Sequence, residues 1–254
     1  MKMRTVLSAV AVLLFAALSV VAQEKPGTLA ALEFQKPKNG MVKQYQDGRK
    51  QKAAWHKEQK DPQPLLVWEI LSGDSTGTYI VGRLGQHWSD FDKPAIPDQA
   101  DLEEFQKVVG NYVDSIVGRY YDLLPKISNP DSSGMPSKFG EIITFYVRYG
   151  KGSDFRSAIS RINDAAQKTK WPVHYEWYLL ANGGVQGTYV LVLPRTNWAD
   201  FEDKPDVKPF REMIKDAFGQ AEADSIVDRI DASVQTETSE IIQFRPDLSY
   251  LPSK

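Results

Sequence analysis

The sequence predicts an α+β protein built from two tandem units of the order strand, helix, strand, strand, helix, strand. Three observations carry that reading. First, a segment repeats: Gly77-Thr78-Tyr79, Trp88, Asp90 and Phe91 recur as Gly187-Thr188-Tyr189, Trp198, Asp200 and Phe201, each 110 positions later. Asp114-Ser115-Ile116-Val117 and Arg119 return at the same spacing of 110 as Asp224-Ser225-Ile226-Val227 and Arg229, and Trp68 pairs with Trp177 at 109. Rare residues repeating in register mark a duplicated structural unit. Second, the hydrophobic period switches between 2 and 3.6 in the same order in both halves. Third, 42% hydrophobic and 25% charged residues in 254 are the composition of a folded globular chain.

The second unit shows its elements most clearly. Residues 141–149 alternate Ile143, Phe145, Val147 and Tyr149 with Ile142, Thr144, Tyr146 and Arg148, which is strand periodicity. Ser153 then caps a helix carrying Phe155, Ala158, Ile159, Ile162, Ala165 and Ala166 on one face. Pro172 ends it, and residues 173–180 and 188–193 form a hairpin around Asn182-Gly183-Gly184. Phe210, Met213, Ile214, Ala217 and Phe218 give a helical stripe, a further helical piece starts near Asp224, and residues 240–245 make the last strand. In the first unit the matching elements are a strand over 29–35, a polar helix over 41–56 and a hairpin of 65–71 with 78–84. An apolar helical stripe follows from Leu102 through Gly110 to Tyr120, then a closing strand over 123–128 that Pro125 interrupts. Pro, Gly and Ser over 128–134 read as the linker, so the units are expected over 23–130 and 131–254.

The first 22 residues read as a cleavable export signal. Lys2 and Arg4 precede an apolar run over 6–21, with the small pair Val20 and Ala22 before Gln23. The competing reading, an uncleaved anchor, needs a run of about 20 apolar residues, longer than this one. Cleavage leaves 29 basic against 33 acidic groups, so the expected product is a periplasmic or extracellular protein with no membrane association and no positive field to gather nucleic acid. With no cysteine, disulfides, thiolate metal sites and cysteine nucleophiles are excluded. His56, His87 and His174 are not spaced as a local metal motif, and no metal site is expected. Lys50, Lys52, Lys57 and Lys60 read as a solvated basic face.

The element order, with Gly-Thr-Tyr and Trp-[Ser/Ala]-Asp-Phe in each half, resembles the ferredoxin-like split unit. In tandem it resembles the dimeric α/β-barrel superfamily in single-chain form, and it is similar to an uncharacterised group of exported bacterial tandem-repeat proteins. That superfamily includes cofactor-free monooxygenases, haem-binding enzymes and NIPSNAP-type proteins, so the resemblance implies two sheets packed together and leaves several activities open.

If helices cover one sheet face, the other face faces the partner sheet. Alternation over 173–180 puts His174, Glu176, Tyr178 and Leu180 there, joined by Tyr146, Arg148, Gln243 and Arg245 from the flanking strands. The first unit is expected to present Leu65, Val67, Glu69 and Leu71. Polar groups at such positions suit a small polar or aromatic ligand between the sheets. Trp88 and Trp198, beside His87 and Asn197, sit where the third strand hands over to the next helix; they either close a core or form a stacking wall at the cavity mouth. Binding without catalysis is the leading expectation. The alternatives are a monooxygenase-like or haem-dependent oxidoreductase using His87 or His174 as acid, base or axial ligand, and an envelope interaction protein with no pocket. No motif identifies a cofactor.

Overall fold

A computed structural model describes residues 26–131 and 134–252; the expected leader lies outside the described residues. The chain runs β1 (Leu29–Pro37), α1 (Val42–Glu58), β2 (Leu66–Ile70), β3 (Tyr79–Gln86), α2 (Asp98–Val108) and β4 (Val113–Leu123), then β5 (Phe139–Val147), α3 (Gly152–Thr169), β6 (Glu176–Asn182), β7 (Thr188–Arg195), α4 (Phe210–Phe218), α5 (Gln220–Ser233) and β8 (Val234–Phe244). Short 3-10 turns at Trp88–Asp92 and Trp198–Phe201 follow the third strand of each half. The fold is α+β, with all eight strands antiparallel.

The two four-stranded sheets join edge to edge, so the order β1-β3-β2-β8-β5-β7-β6-β4 closes on itself as a barrel. One seam pairs Trp68 with Phe244 and Ile70 with Ile242; the other pairs Tyr121 with Leu180 and Leu123 with Tyr178. Closure leaves neither sheet with an exposed edge, the usual site of unwanted strand pairing. The helices lie outside: α3, α4 and α5 pack Phe155, Ile159, Met213, Ile214 and Ile226 on Phe145, Trp177 and Tyr189 of the second half. Burial of each such side chain contributes about 1.5–3 kcal/mol.

Four sequence expectations change. The helix expected to run through Gly110 ends at Val108, and β4 occupies Val113–Leu123 in place of a closing strand over 123–128. Pairing with β1 from Pro37 to Leu29 satisfies the backbone of this β-branched stretch, while Pro125 sits in a 3-10 turn. Asp114-Ser115-Ile116-Val117 is therefore strand, whereas the identical Asp224-Ser225-Ile226-Val227 is helix. In the barrel, β4 corresponds to β8 instead, and the shared tetrapeptide does not mark equivalent positions. Third, Trp68 does not match Trp177. Trp68 pairs with Ile80 and Tyr178 pairs with Val190, so the spacing of 110 holds across both hairpins and Trp68 occupies the place of Tyr178. The fourth change follows from it: Leu66, Trp68 and Ile70 face the barrel interior, while Leu65 and Val67 pack under the helices.

Candidate functional site: the barrel interior

Inward-facing side chains do not fill the barrel. A cavity of about 480 Å³ is lined by Leu32 and Phe34 of β1, Leu66 and Trp68 of β2, Ile80 of β3, Arg119 and Tyr121 of β4, Ile142 and Thr144 of β5, Glu176 and Tyr178 of β6, Val190 and Val192 of β7, and Glu240 and Ile242 of β8. That volume lies within the range of small-molecule sites. Its outer mouth is bounded by Pro64, Leu84, Pro194 and the inter-sheet connection, including Pro130, Met135 and Pro136. A second space of about 520 Å³ opens at the opposite end, lined by Ser75, Thr78, Ser115, Tyr146, Thr238 and Ser239 among others. Phe34, Arg119, Thr144 and Glu240 border both, so the barrel is apolar at one end, hydroxyl-rich at the other and waisted between.

Two polar pairs interrupt the apolar wall. The Tyr178 hydroxyl donates to Glu176 Oε2 at 3.2 Å. Burial pushes the Glu176 carboxyl above the usual carboxylate range, with Tyr178 pulling the other way; burial, reinforced by Glu176, drives the Tyr178 phenol far above its ordinary value. At the waist, Arg119 Nη1 lies 3.5 Å from the Tyr121 hydroxyl and its guanidinium stands 4.7 Å from the centre of the Phe34 ring. Burial raises the Tyr121 phenol, opposed by Arg119.

Of the residues picked from sequence, Glu176 and Tyr178 line the cavity. His174 is exposed, ahead of β6, with Nδ1 3.3 Å from the Asn129 carbonyl oxygen. Arg148 lies beyond the end of β5 and is exposed. Gln243 and Arg245 point to the outer face: Ile242 and Phe244 face inward, Gln243 stands opposite Glu69, and Arg245 bonds Glu69 at 2.5 Å and Asp247 at 2.9 Å. His87 and Asn197 precede the two 3-10 turns in matching capping boxes. Each side chain accepts from the backbone N–H three residues on, and the carboxylates of Asp90 and Asp200 accept from the backbone N–H of His87 and Asn197. Trp88 stacks on Tyr120 at 5.1 Å and Trp198 on Phe139 at 4.7 Å; both are about half exposed outside the barrel, and Phe139 is the one ring of these that reaches the cavity mouth. Among the described residues no histidine lines the cavity, so those lining it offer no axial histidine to a haem.

Sequence reasoning misses Arg119 because the spacing up to Tyr120 reads as helix, Tyr121 because it falls between that helix and the strand expected over 123–128, and Glu240 because alternation gives β8 the opposite inward parity, whereas Thr144 shares the expected inward face of Tyr146 and Arg148. It also misses a charged layer beneath α1. Lys52 and His56, expected on or near a solvated face, are buried at 1% exposure each, with Arg49 and Asp61 beside them. His56 Nδ1 lies 2.9 Å from Asp61 Oδ2, and His56 Nε2 lies 3.4 Å from Asp101 Oδ2. Arg83 bonds the same Asp61 oxygen at 2.8 Å, and Lys52 Nζ donates to the Asp101 carbonyl oxygen at 2.8 Å. Gly48 allows this approach of α2 to α1, since a Cβ there would stand 2.0 Å from the Val108 carbonyl oxygen. Burial pulls the His56 imidazolium down to about 4, against the attraction of Asp101 and Asp61.

Comparison with solved structures places this architecture. A monooxygenase-like protein from Lactobacillus acidophilus NCFM superposes with a TM-score of 0.52 at 9% identity, over 91% of this chain and 98% of its own. An anthrone oxidase-like protein matches with a TM-score of 0.50 at 12% identity, over 91% and 95%. Chlorite dismutase from Candidatus Nitrospira defluvii, solved in complex with imidazole, matches with a TM-score of 0.50 at 11% identity, over 88% and 93%. No protein-family model matches the chain, and no curated protein matches it. Likeness at these identities shows the fold alone. The shared fold is an eight-stranded antiparallel α+β barrel with its helices outside, here enclosing a chamber.

Proposed function

We propose that this chain is an exported, duplicated ferredoxin-like barrel whose biochemical task is to bind a small, largely apolar ligand inside the barrel. The cavity of about 480 Å³ carries the reading. A folded interior is normally packed close to crystal density, and a space of this size is retained when it has an occupant. The polar pair Glu176–Tyr178 gives the wall an acceptor that orients a ligand donor. Lys2, Arg4 and the apolar run over 6–21 support export; amino-terminal sequencing of the secreted protein tests it, with Gln23 the expected first residue.

Binding is tested with N-phenyl-1-naphthylamine, a neutral fluorophore that brightens in apolar surroundings. Saturable binding at one site, abolished by Val190→Trp, which fills the cavity, is the expected result. A protein that leaves the fluorophore dark, or a Val190→Trp variant that binds it unchanged, removes the cavity from consideration. One observation favours a second reading, an oxygenase of the kind named among the structural neighbours: Glu176, buried with an upward-shifted carboxyl, is a candidate proton acceptor facing an aromatic-sized chamber. Consumption of dioxygen with a hydroxylated aromatic substrate, lost in Glu176→Gln, distinguishes it.

A further inference from the structure

We infer that the ligand is an amphiphile with an acidic head, its carboxylate held by Arg119 at the barrel waist and its apolar body in the chamber between Trp68 and Val190. The inference rests on the cavity reading above and specifies its occupant.

Arg119 is a permanent cation on an inward-facing strand position. Of the other arginines, Arg83 pairs with Asp61, Arg195 with Glu141, and Arg245 with Glu69 and Asp247, while Arg49, which does not line the chamber, is buried under α1 with no ion pair among the described residues. Among the described residues no carboxylate lies within 4 Å of Arg119. Its hydrogen bonding is confined to the single long contact with the Tyr121 hydroxyl at 3.5 Å, and its Nε is buried with no partner. A guanidinium presents five N–H donors in a fork matched to a carboxylate. Arg119 is partly buried with its Nε sealed from solvent, and an arriving carboxylate supplies the partner its fork lacks.

The surroundings fit a head group there. Glu240 shares the waist, but its Cγ and Oε1 lie 3.0 Å and 3.5 Å from the position a Cβ on Gly73 would take, so its carboxylate leans toward the opposite mouth. Glu176 lies on β6 in the apolar chamber, with one oxygen accepting the Tyr178 hydroxyl. The polarity of the barrel also runs along its axis, from apolar chamber to hydroxyl-rich mouth with Arg119 between them, which is the polarity of an amphiphile laid lengthwise.

The experiment displaces N-phenyl-1-naphthylamine with decanoate, decanol and decylamine, which share a chain and differ in head group. Decanoate is expected to displace the fluorophore at a concentration at least about tenfold below that of decanol, because a charge-assisted pair with a guanidinium adds what a neutral hydroxyl does not. In Arg119→Gln the two should converge, while Arg119→Lys keeps part of the preference. Equal displacement by decanoate and decanol in the wild type, or strongest displacement by decylamine, overturns the acidic-head inference and leaves the cavity reading standing. A fluorophore that never binds overturns both. The wild-type series decides the matter even where an Arg119 variant does not fold.

Discussion

The two halves share a topology and differ in how much polar chemistry they bury beneath their helices. Under its helices the second half is apolar, with Phe155, Ile159, Met213 and Ile214 closing on Phe145 and Trp177. The first half adds to its apolar cluster around Tyr45, Val67, Tyr79 and Val109 a polar layer under α1 of Gln35, Arg49, Lys52, His56 and Asp61. Inside the barrel each half brings both kinds of residue: the first lines it with Leu32, Phe34, Leu66, Trp68 and Ile80 and adds Arg119 and Tyr121, and the second supplies Ile142, Val190 and Val192 together with Thr144, Glu176, Tyr178 and Glu240. A ferredoxin-like sheet thus tolerates polar groups on either face, provided the opposite face is apolar enough to drive assembly. Glu176 and Tyr178 stand where Leu66 and Trp68 stand in the first half, so at this pair of positions the two hairpins differ in polarity.

This contrast can be broken at its strongest point. Asp61→Ala removes the carboxylate shared by His56 and Arg83 and should destabilise the protein by about 3–5 kcal/mol in chemical denaturation. Phe155→Ala should cost a similar amount, about 3–5 kcal/mol, through a cavity in the second half. The two are separated by pH. His56 is held neutral in the folded state, with its pKa depressed from 6.5 to about 4. The unfolded chain therefore takes up a proton that the folded chain refuses, and stability present above 6.5 is lost as the pH falls toward about 4. Phe155→Ala should keep that slope and His56→Gln should flatten it; a slope that survives in His56→Gln assigns the acid sensitivity elsewhere.

Smaller effects sharpen the comparison inside the barrel. Because burial raises the Glu176 carboxyl, its ionised form opposes folding as the pH rises through its folded value. Glu176→Gln should raise the melting temperature by about 2–4 °C at neutral pH, an advantage that disappears below the usual carboxylate pKa. Leu66→Ala, at the matching position of the first half, should lower stability at every pH. The smallest changes are expected at the exposed rings: Trp88→Ala and Trp198→Ala should each cost under about 1 kcal/mol and leave fluorophore binding unaltered. Loss of binding in Trp198→Ala alone would move the cavity mouth to the Phe139 cluster.

The inward position of Glu176 and Tyr178 was legible because a strand sends alternate side chains to opposite faces. The same rule failed at β8: Ile241 and Ile242 are adjacent and both apolar, so the pattern does not say which faces inward, and Gln243 and Arg245 were placed on the wrong side. Lys52 and His56 were hidden for a different reason. A polar helix face looks the same in sequence whether it meets water or a layer of buried carboxylates. Arg119 was concealed by spacing, since the apolar residues from Leu102 to Tyr120 fit a helix until Gly110 and the ladder with β1 break it.

Sequence alone determined the order of strands and helices across most of the chain, the hairpins around Thr78 and Thr188, and which neighbours share a face, because all of these follow from local backbone geometry. Tertiary structure decided the rest. Asp-Ser-Ile-Val is strand beside β1 and helix beside α3; the β2–β8 and β4–β6 seams close the barrel; Arg119 reaches a chamber built from all eight strands. Each depends on pairing between segments far apart in the chain, whose free energy is set by the partner and is written in neither segment by itself.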